Sequence, residues 1–517
     1  MTDAKQLDAL FPLPSLRPSS ICPEWVPGVT YESKVTISKA LKKNHVQRHA
    51  FVNEYGFHNH TSHHLLAVFA MGAPAPLFEE IFGDHAQRTL PTLESPGVIT
   101  KDNFYDHIGD RRFYDAYLHY FHDIVLEQGA SAVVEEYVFS RAANFPEPES
   151  DNNPRQIIVR SLAMLYHPMI YLGYGLEFGI PGLVAEGLAQ SVVHPLQGQG
   201  LLSVADFRAQ NEYSGGGSGL VSSFASLVLS KERNGLNIKH SSVHVLTILG
   251  RILRDDRFSS SSLSLSPKEH PSEVLTHYDQ VARDLGDAMR SHIQGWTVNG
   301  SDTIDVKNKV EELCWMNALL YGVGGWGGRN ETPDRKFNAD FFFMHMVTSA
   351  LFLPSMVTYL SASSITQLLR TYLISSITWW VARGRPVLPI REFYTSVSAT
   401  PVPYGTTKVT SAPGTLTSES VSPNPWLPIL QTTIVHADDH LCKLQRALAH
   451  FASKYGDRPV GYFSAFAEID SGGLEGAEVL DGSLFVRAAG LTADKLGWMR
   501  EGQARGEWSY GAFYTRD

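Results

Sequence analysis

Residues 156–178 read QIIVRSLAMLYHPMIYLGYGLEF. The apolar residues recur with helical rather than strand periodicity, and they cover most of the circumference, which marks a buried helix. Pro168 interrupts it. A proline inside a helix lacks the N–H and crowds the carbonyl four residues earlier, here Met164, so a kink is expected there. His167 precedes that proline, with Tyr171, Tyr174 and Phe178 on the same face at helical spacing. This histidine admits two readings. It lines a pocket for a flat aromatic ligand, or it is a core histidine bonded to the freed Met164 carbonyl.

Outward from this stretch the pattern stays helical. Helices are predicted over 61–71, with Asn59 or Thr61 near the N-cap and Gly72 just past the end, and over 112–140 as a pair hinged near Gly129. Further helices are predicted over 183–193, 240–254, 273–293, 305–321, 339–353, 361–382 and 429–454. Period-two stretches are rare before residue 455, and no solenoid repeat is evident. The Ser/Pro-rich segment 255–273 and the Pro/Thr/Ser-rich segment 395–426 read as loop excursions: linkers, disordered segments or a lid. Neither separates halves of different composition. The expectation is one large all-α body over residues 1–517.

Composition narrows the function. Of 517 residues 43% are hydrophobic and 19% charged, a globular balance. Lys plus Arg is 43 against 53 for Asp plus Glu, a net charge of −10, which argues against nucleic acid as a partner. Cys22, Cys314 and Cys442 form neither a disulfide framework nor a sulfur cage for zinc. With an acid-bearing N-terminus unlike a signal peptide, a reducing, cytoplasmic location is expected. Residues 341–360 carry no Asp, Glu, Lys or Arg, yet their His, Ser, Thr and Pro favour a buried helix over a stable membrane insertion.

Histidine is the unusual residue, at 21 of 517. His58, His60, His63 and His64 lie within FHNHTSHH. An i, i+4 or i, i+3 pair, such as His60 with His64 or His63, can present two imidazoles to one ion. Thr61 and Ser62 stand where H-E-x-x-H would carry its acid, so a zinc-peptidase reading lacks a general base. His345 sits in FFFMHMVTSALF, where a buried imidazole requires a metal or a hydrogen bond. His436, Asp439, His440 and Lys443 share one face of a predicted helix, readable as a further ligand group or as a solvated face. His194, His240, His244 and His292 have no distinguishing context. Gly322, Gly324 and Gly327 spell G-x-G-x-x-G, but after a helical stretch, which rejects a dinucleotide fold. There is no Walker A sequence, and GGGSG at 215–219 lacks the spacing of a nucleophile elbow.

Five blocks occur in order: FHNHTSHHLLAVFAMGA, LYHPMIYLGYGLEF, DFFFMHMVTSALF, VARGRPVL and HADDHLCKLQRAL. Together they resemble the fungal questin oxidase-like family of secondary metabolism. That resemblance implies O2-dependent opening of a hydroxyanthraquinone ring with a Baeyer–Villiger-type outcome. It implies a histidine-ligated non-haem iron, in some relatives completed by a carboxylated lysine. It also implies NADPH as a reductant, although no site for it is legible. On this reading His60, His64, His167 and His345 are the expected Fe(II) ligands. His63 is their substitute or a catalytic group, and Tyr171 a catalytic residue. Tyr174, Phe178 and Trp326 are substrate-binding candidates, with His58, His292, His436, Asp439, His440 and Lys443 in second rank. There is no lysine between Lys336 and Lys408, so the apolar helices over 341–382 offer none for carboxylation. A further ligand would be water, a carboxylate or another histidine. Two other classes stay open: a zinc hydrolase using the same histidines, and a non-catalytic accessory helical protein.

Overall fold

A computed structural model of the chain describes residues 3–53, 56–146, 154–204, 207, 242–266, 271–331, 336–406, 410–416 and 421–514. The architecture is all-α. Among the described residues the β contacts are isolated bridges, Arg48 with Pro91, Phe51 with His58 and Asp340 with Ser509. The first half is built from α1 (Tyr31–Gln47), α2 (Thr61–Ala70), α3 (Ala75–Ala86), α4 (Tyr114–Gln128), α5 (Ala163–Phe178) and α6 (Pro181–Val193). After it come α7 (Val245–Leu253), α8 (Pro271–Ile293), α9 (Thr303–Leu319), α10 (Phe341–Ala350), α11 (Leu353–Tyr359) and α12 (Ala362–Ala382). The last three are α13 (Trp426–Ile434), α14 (Leu441–Tyr455) and α15 (Leu484–Leu496). Their buried apolar faces join in one core that runs from Leu10 to Tyr514.

Four helices place the histidines. α2, α5, α10 and α14 pack against one another, and α6 braces α5 from behind. The α5–α6 contact is close because of glycine. A Cβ at Gly175 would stand 2.6 Å from the Val184 amide nitrogen, and one at Gly187 2.6 Å from that of Leu172. Only hydrogen fits at either position.

The kink predicted at Pro168 is deeper than a bend. Met164, Leu165 and Tyr166 take left-handed backbone angles, with φ of 47°, 61° and 64°. Non-glycine residues adopt this region at a cost on the order of 1 kcal/mol each. The Met164 amide donates to Gln197 Oε1 at 2.7 Å, and the Met169 amide donates to Ser161 O at 3.0 Å. These bonds satisfy groups that the helix has released.

Two predicted helices are broken. The 429–454 stretch divides into α13 and α14, because Asp438 Oδ1 accepts from the amides of His440 and Leu441 at 2.9 and 3.0 Å. Such a turn starts a new helix rather than continuing the old one. The 341–360 run divides into α10 and α11, bent by 41°, with Pro354 in the first turn of α11. Both pieces are buried. Among the described residues no single helix is long and apolar enough to cross a membrane. The hinge at Gly129 is found, with φ of +84°. α7 starts at Val245, while residues 240–241 and the GGGSG cluster lie outside the described residues. The G-x-G-x-x-G glycines lie in a wide helical turn over Leu320–Gly324 and the short helix after it, with no strand before them.

Several histidines away from the α2–α5–α10–α14 junction are buried and neutral. Burial pushes the His49, His122 and His450 imidazoles down to about 4, 2 and 3. Below about pH 6.5 the unfolded chain binds protons that these rings refuse, so stability is complete above that pH and declines as pH falls. The free energy of unfolding is therefore expected to drop between pH 7 and pH 5 by roughly 1–2 kcal/mol per buried histidine, lowering the unfolding midpoint. His122→Phe should make that fall shallower. A midpoint unchanged over this range would show that the rings titrate normally.

Candidate functional site

α2 begins at a residue that is not helical. Asn59 Oδ1 accepts from the Thr61 amide and hydroxyl at 2.9 and 2.6 Å, leaving His60 as the capping residue with φ −95° and ψ 5°. His60 therefore leaves the helix surface and points across to α5. Its Nε2 lies 2.7 Å from His167 Nε2, and its ring lies 4.5 Å from that of His440. One ligating atom from each of His60, His167 and His440 fits within a 4.8 Å span. The His345 ring, from α10, lies 4.9 Å from His167 and 5.1 Å from His440.

The outer nitrogen of each of these four rings is already engaged. His167 Nδ1 donates to Met164 O, the carbonyl that the kink sets free. His345 Nδ1 donates to Phe341 O at 2.7 Å. His60 Nδ1 and His440 Nδ1 lie 3.2 and 2.7 Å from the same acceptor, Asp439 Oδ1. An imidazole whose Nδ1–H is donated carries its lone pair on Nε2. So each of the four rings keeps a lone pair on Nε2, and those of His60 and His167 face each other at 2.7 Å. The Nε2 atoms of His345 and His440 are buried and without a partner, and those of His60 and His167 oppose each other with no proton to share. Burial lowers the pKa of His60, His167 and His345 well below the usual value, so protonation does not relieve this. A cation held between the rings would. An ion with nitrogen bonds of about 2.1 Å would set neighbouring ligand nitrogens about 3.0–3.4 Å apart.

Lys443, one turn into α14, is fully buried, and its Nζ has no hydrogen-bond partner. Burial depresses its pKa, and its charge is felt by His60, His63, His167 and His345 alike. A buried lysine, which the helices over 341–382 lack, is thus present on another helix. Asp439 is also held by Arg88 Nη2 at 3.1 Å. Burial alone would raise its pKa, but His60 and His440 beside it hold it well below the usual carboxylate range.

The other expected residues divide. His64 does not pair with His60; because His60 lies off the helix, His64 Nδ1 turns instead to His85 Nε2 at 3.1 Å. His63 stands behind the cluster, 4.2 Å from the Tyr171 ring and 5.3 Å from Tyr174, with neither nitrogen bonded. Tyr171 donates to Asn59 O and so helps fix the start of α2. Phe178 lies deeper, stacked on Trp25 at 6.0 Å. His58 stacks flat on His167 at 4.3 Å, and its Nε2 lies 2.8 Å from His194 Nε2. Three residues lie elsewhere. Trp326 packs under Arg329 at 3.5 Å, His292 bonds Asp255 at 2.9 Å, and His436 Nε2 donates to Leu496 O at 3.1 Å. The solvated-face reading of the 436–443 segment is also overturned, since Asp439 and Lys443 are buried.

A cavity of about 640 Å³ opens onto the cluster, lined by His58, His60, His167 and His440. Its apolar wall includes Phe57, Leu165, Leu275, Phe341, Phe342, Trp508 and Tyr510, and its polar wall includes His85, Arg88, Asp438 and Arg505. No described residue of the 395–426 loop lines it. Sequence reading missed Arg88, Asp438, Arg505, Trp508 and Tyr510, which reach the cavity from positions far apart in the chain. The aromatic run WSYGAFY at 508–514 was the available signal.

Comparison with known proteins gives the family. The chain is 25% identical over 421 residues to the Baeyer-Villiger oxidase ptaJ of Pestalotiopsis fici, spanning 80% of this chain and 79% of that protein. It is 24% identical over 425 residues to the questin oxidase of Aspergillus terreus, spanning 79% and 78%. With the Baeyer-Villiger monooxygenase AacuH of Aspergillus aculeatus it is 33% identical over a shorter 175 residues, 32% and 34% of the two chains. The questin oxidase-like family model matches residues 57–448, a span that holds His58 through Lys443 and most of the cavity wall, and the chain belongs to that family.

Proposed function

We propose that the chain is an O2-dependent oxidase that opens the quinone ring of a hydroxyanthraquinone, with Fe(II) held by His60, His167, His345 and His440. Relatives named Baeyer-Villiger oxidase and questin oxidase along most of the chain support an oxidative enzyme of fungal secondary metabolism. The observation that carries the finer reading is the set of four neighbouring imidazoles with Nδ1 engaged, three of which bring a ligating nitrogen within one 4.8 Å span. Imidazole suits iron, and donated Nδ1 protons orient the ring and raise its basicity. When bound, the ion would supply the activation of O2.

Lys443 is the proposed further ligand. Burial favours loss of the ammonium proton, and the neutral amine then adds CO2 to give a carbamate with release of a second proton, so that a stranded cation becomes an anionic oxygen donor. The remaining residues hold and shield the substrate. Phe57, Phe341, Phe342 and Trp508 provide flat apolar contact and keep water from the histidines. A hydrolase would need a free general base. The nearest carboxylate, Asp439, is instead shared among His60, His440 and Arg88.

The test is O2 uptake by Fe(II)-loaded protein with a panel of hydroxyanthraquinones, with and without NADPH. Uptake dependent on quinone is expected, and it should be absent in His167→Ala. One O2 consumed per quinone without NADPH indicates dioxygenase stoichiometry, and one NADPH per O2 a monooxygenase. No uptake with any quinone under either condition overturns the proposal.

A further inference from the structure

The family match ends at residue 448, yet one wall of the cavity comes from beyond it, from the chain around Arg505–Tyr510. This strap is fastened along its length. Arg505 Nη2 and Trp508 Nε1 each donate to Asp438 at 3.1 Å. The Ser509 amide donates to Ala339 O at 2.9 Å, and Ser509 O accepts from the Phe341 amide at 3.0 Å. Arg383 Nη2 donates to Tyr510 O at 2.9 Å. A second cavity, also about 640 Å³, lies along the same strap and shares Trp508 and Tyr510 with the first. The strap is thus a thin partition held by hydrogen bonds of its backbone, Arg505 and Trp508.

The Tyr510 side chain is placed to meet a ligand. Tyr510 is 47% exposed although its ring lines the cavity. It lies 4.9 Å from the Phe341 ring, which in turn lies 4.8 Å from His345 and 4.9 Å from His440. Tyr510 therefore stands two ring-to-ring steps from the histidines. A flat ligand with one edge at the histidines crosses Phe341 before it reaches Tyr510. A longer fused-ring system therefore reaches farther along the Phe341–Tyr510 pair than a shorter one.

We infer that Tyr510 is a specificity-determining residue that selects three-ring over two-ring hydroxyquinones by stacking on the ring farthest from the histidines. The inference rests on the proposed substrate class but concerns binding and not turnover. Fluorescence titration of the full-length chain with 1,8-dihydroxyanthraquinone and with 5-hydroxy-1,4-naphthoquinone tests it. Tyr510→Ala should weaken the three-ring probe roughly five- to tenfold, the scale of one lost aromatic contact. The two-ring probe should change by less than about twofold, and Tyr510→Phe should restore three-ring affinity. Equal losses for both probes, no loss for either, or a wild type that binds neither would overturn it. Binding that follows this pattern without O2 uptake would support the strap inference and overturn the oxidase reading. Turnover with an unchanged probe ratio in Tyr510→Ala would do the reverse.

Discussion

His167→Ala, loaded anaerobically with Fe(II) beside wild type and His64→Ala, is expected to lose at least about tenfold in iron affinity, while His64→Ala keeps near-wild-type iron content. Losing even a partner that orients a ligand costs about 10–100-fold in metal affinity, and losing a ligand costs no less. The contrast between the two variants is the informative part. Spacing within FHNHTSHH cannot separate His60 from His64, because an uninterrupted helix would put both on one face. The structure separates them. His60 caps the helix and faces His167 at 2.7 Å, whereas His64 faces His85 at 3.1 Å. Elemental analysis by mass spectrometry reads the result. About one iron per wild-type chain, retained in His64→Ala and lost in His167→Ala, supports the four-ring set. Zinc in place of iron would favour a hydrolase. No metal in wild type after Fe(II) loading would leave these imidazoles as core hydrogen-bonders. Lys443→Ala belongs in the same series. If the lysine holds a carbamate, its loss lowers iron content, and wild type takes up label from 13C-bicarbonate.

The helical architecture was legible because its signal is local. Apolar periodicity, Gly129 and Pro168 each act within a turn or two of chain. The site was legible in part for the same reason. His60, His167 and His345 stand out because histidine in such apolar helices demands a partner. What sequence could not resolve depends on tertiary choices. Asp438 breaks a helix that periodicity would continue, and this brings Asp439, His440 and Lys443 inward while sending His436 to Leu496 O. The two readings of His167 were not rivals. Its Nδ1 bonds the freed Met164 carbonyl, as a core histidine would, and that bond leaves Nε2 free for an ion. Trp326 was expected to bind substrate. Nothing local showed that it packs on Arg329 and Phe393, away from the cavity.

The largest loss of stability is expected where the ligand helix is anchored. Asp340 and Arg383 are both wholly buried. Asp340 Oδ1 accepts from the amides of Phe342 and Phe343 at 2.9 and 2.8 Å and so caps α10, the helix that carries His345. Its Oδ2 accepts from Arg383 Nε and Nη2 at 3.1 and 2.6 Å, and Arg383 also holds the strap through Tyr510 O. Removing one partner strands the other charge in the core. Arg383→Met leaves the Asp340 carboxylate, and Asp340→Asn leaves the guanidinium while keeping a capping side chain. Each is expected to cost about 3–5 kcal/mol. The double variant Asp340→Asn/Arg383→Met keeps a capping side chain and strands no charge, so its loss should be clearly smaller than the sum of the single losses. Thermal unfolding of the metal-free proteins reads this without any contribution from ligand binding. Additive losses in the double variant would mean that the pair acts as two independent contacts. The expected non-additivity would mean that one buried ion pair ties the His345 helix, the end of α12 and the cavity wall into a single unit, so that the position of a histidine at the candidate site depends on an arginine outside the cavity wall.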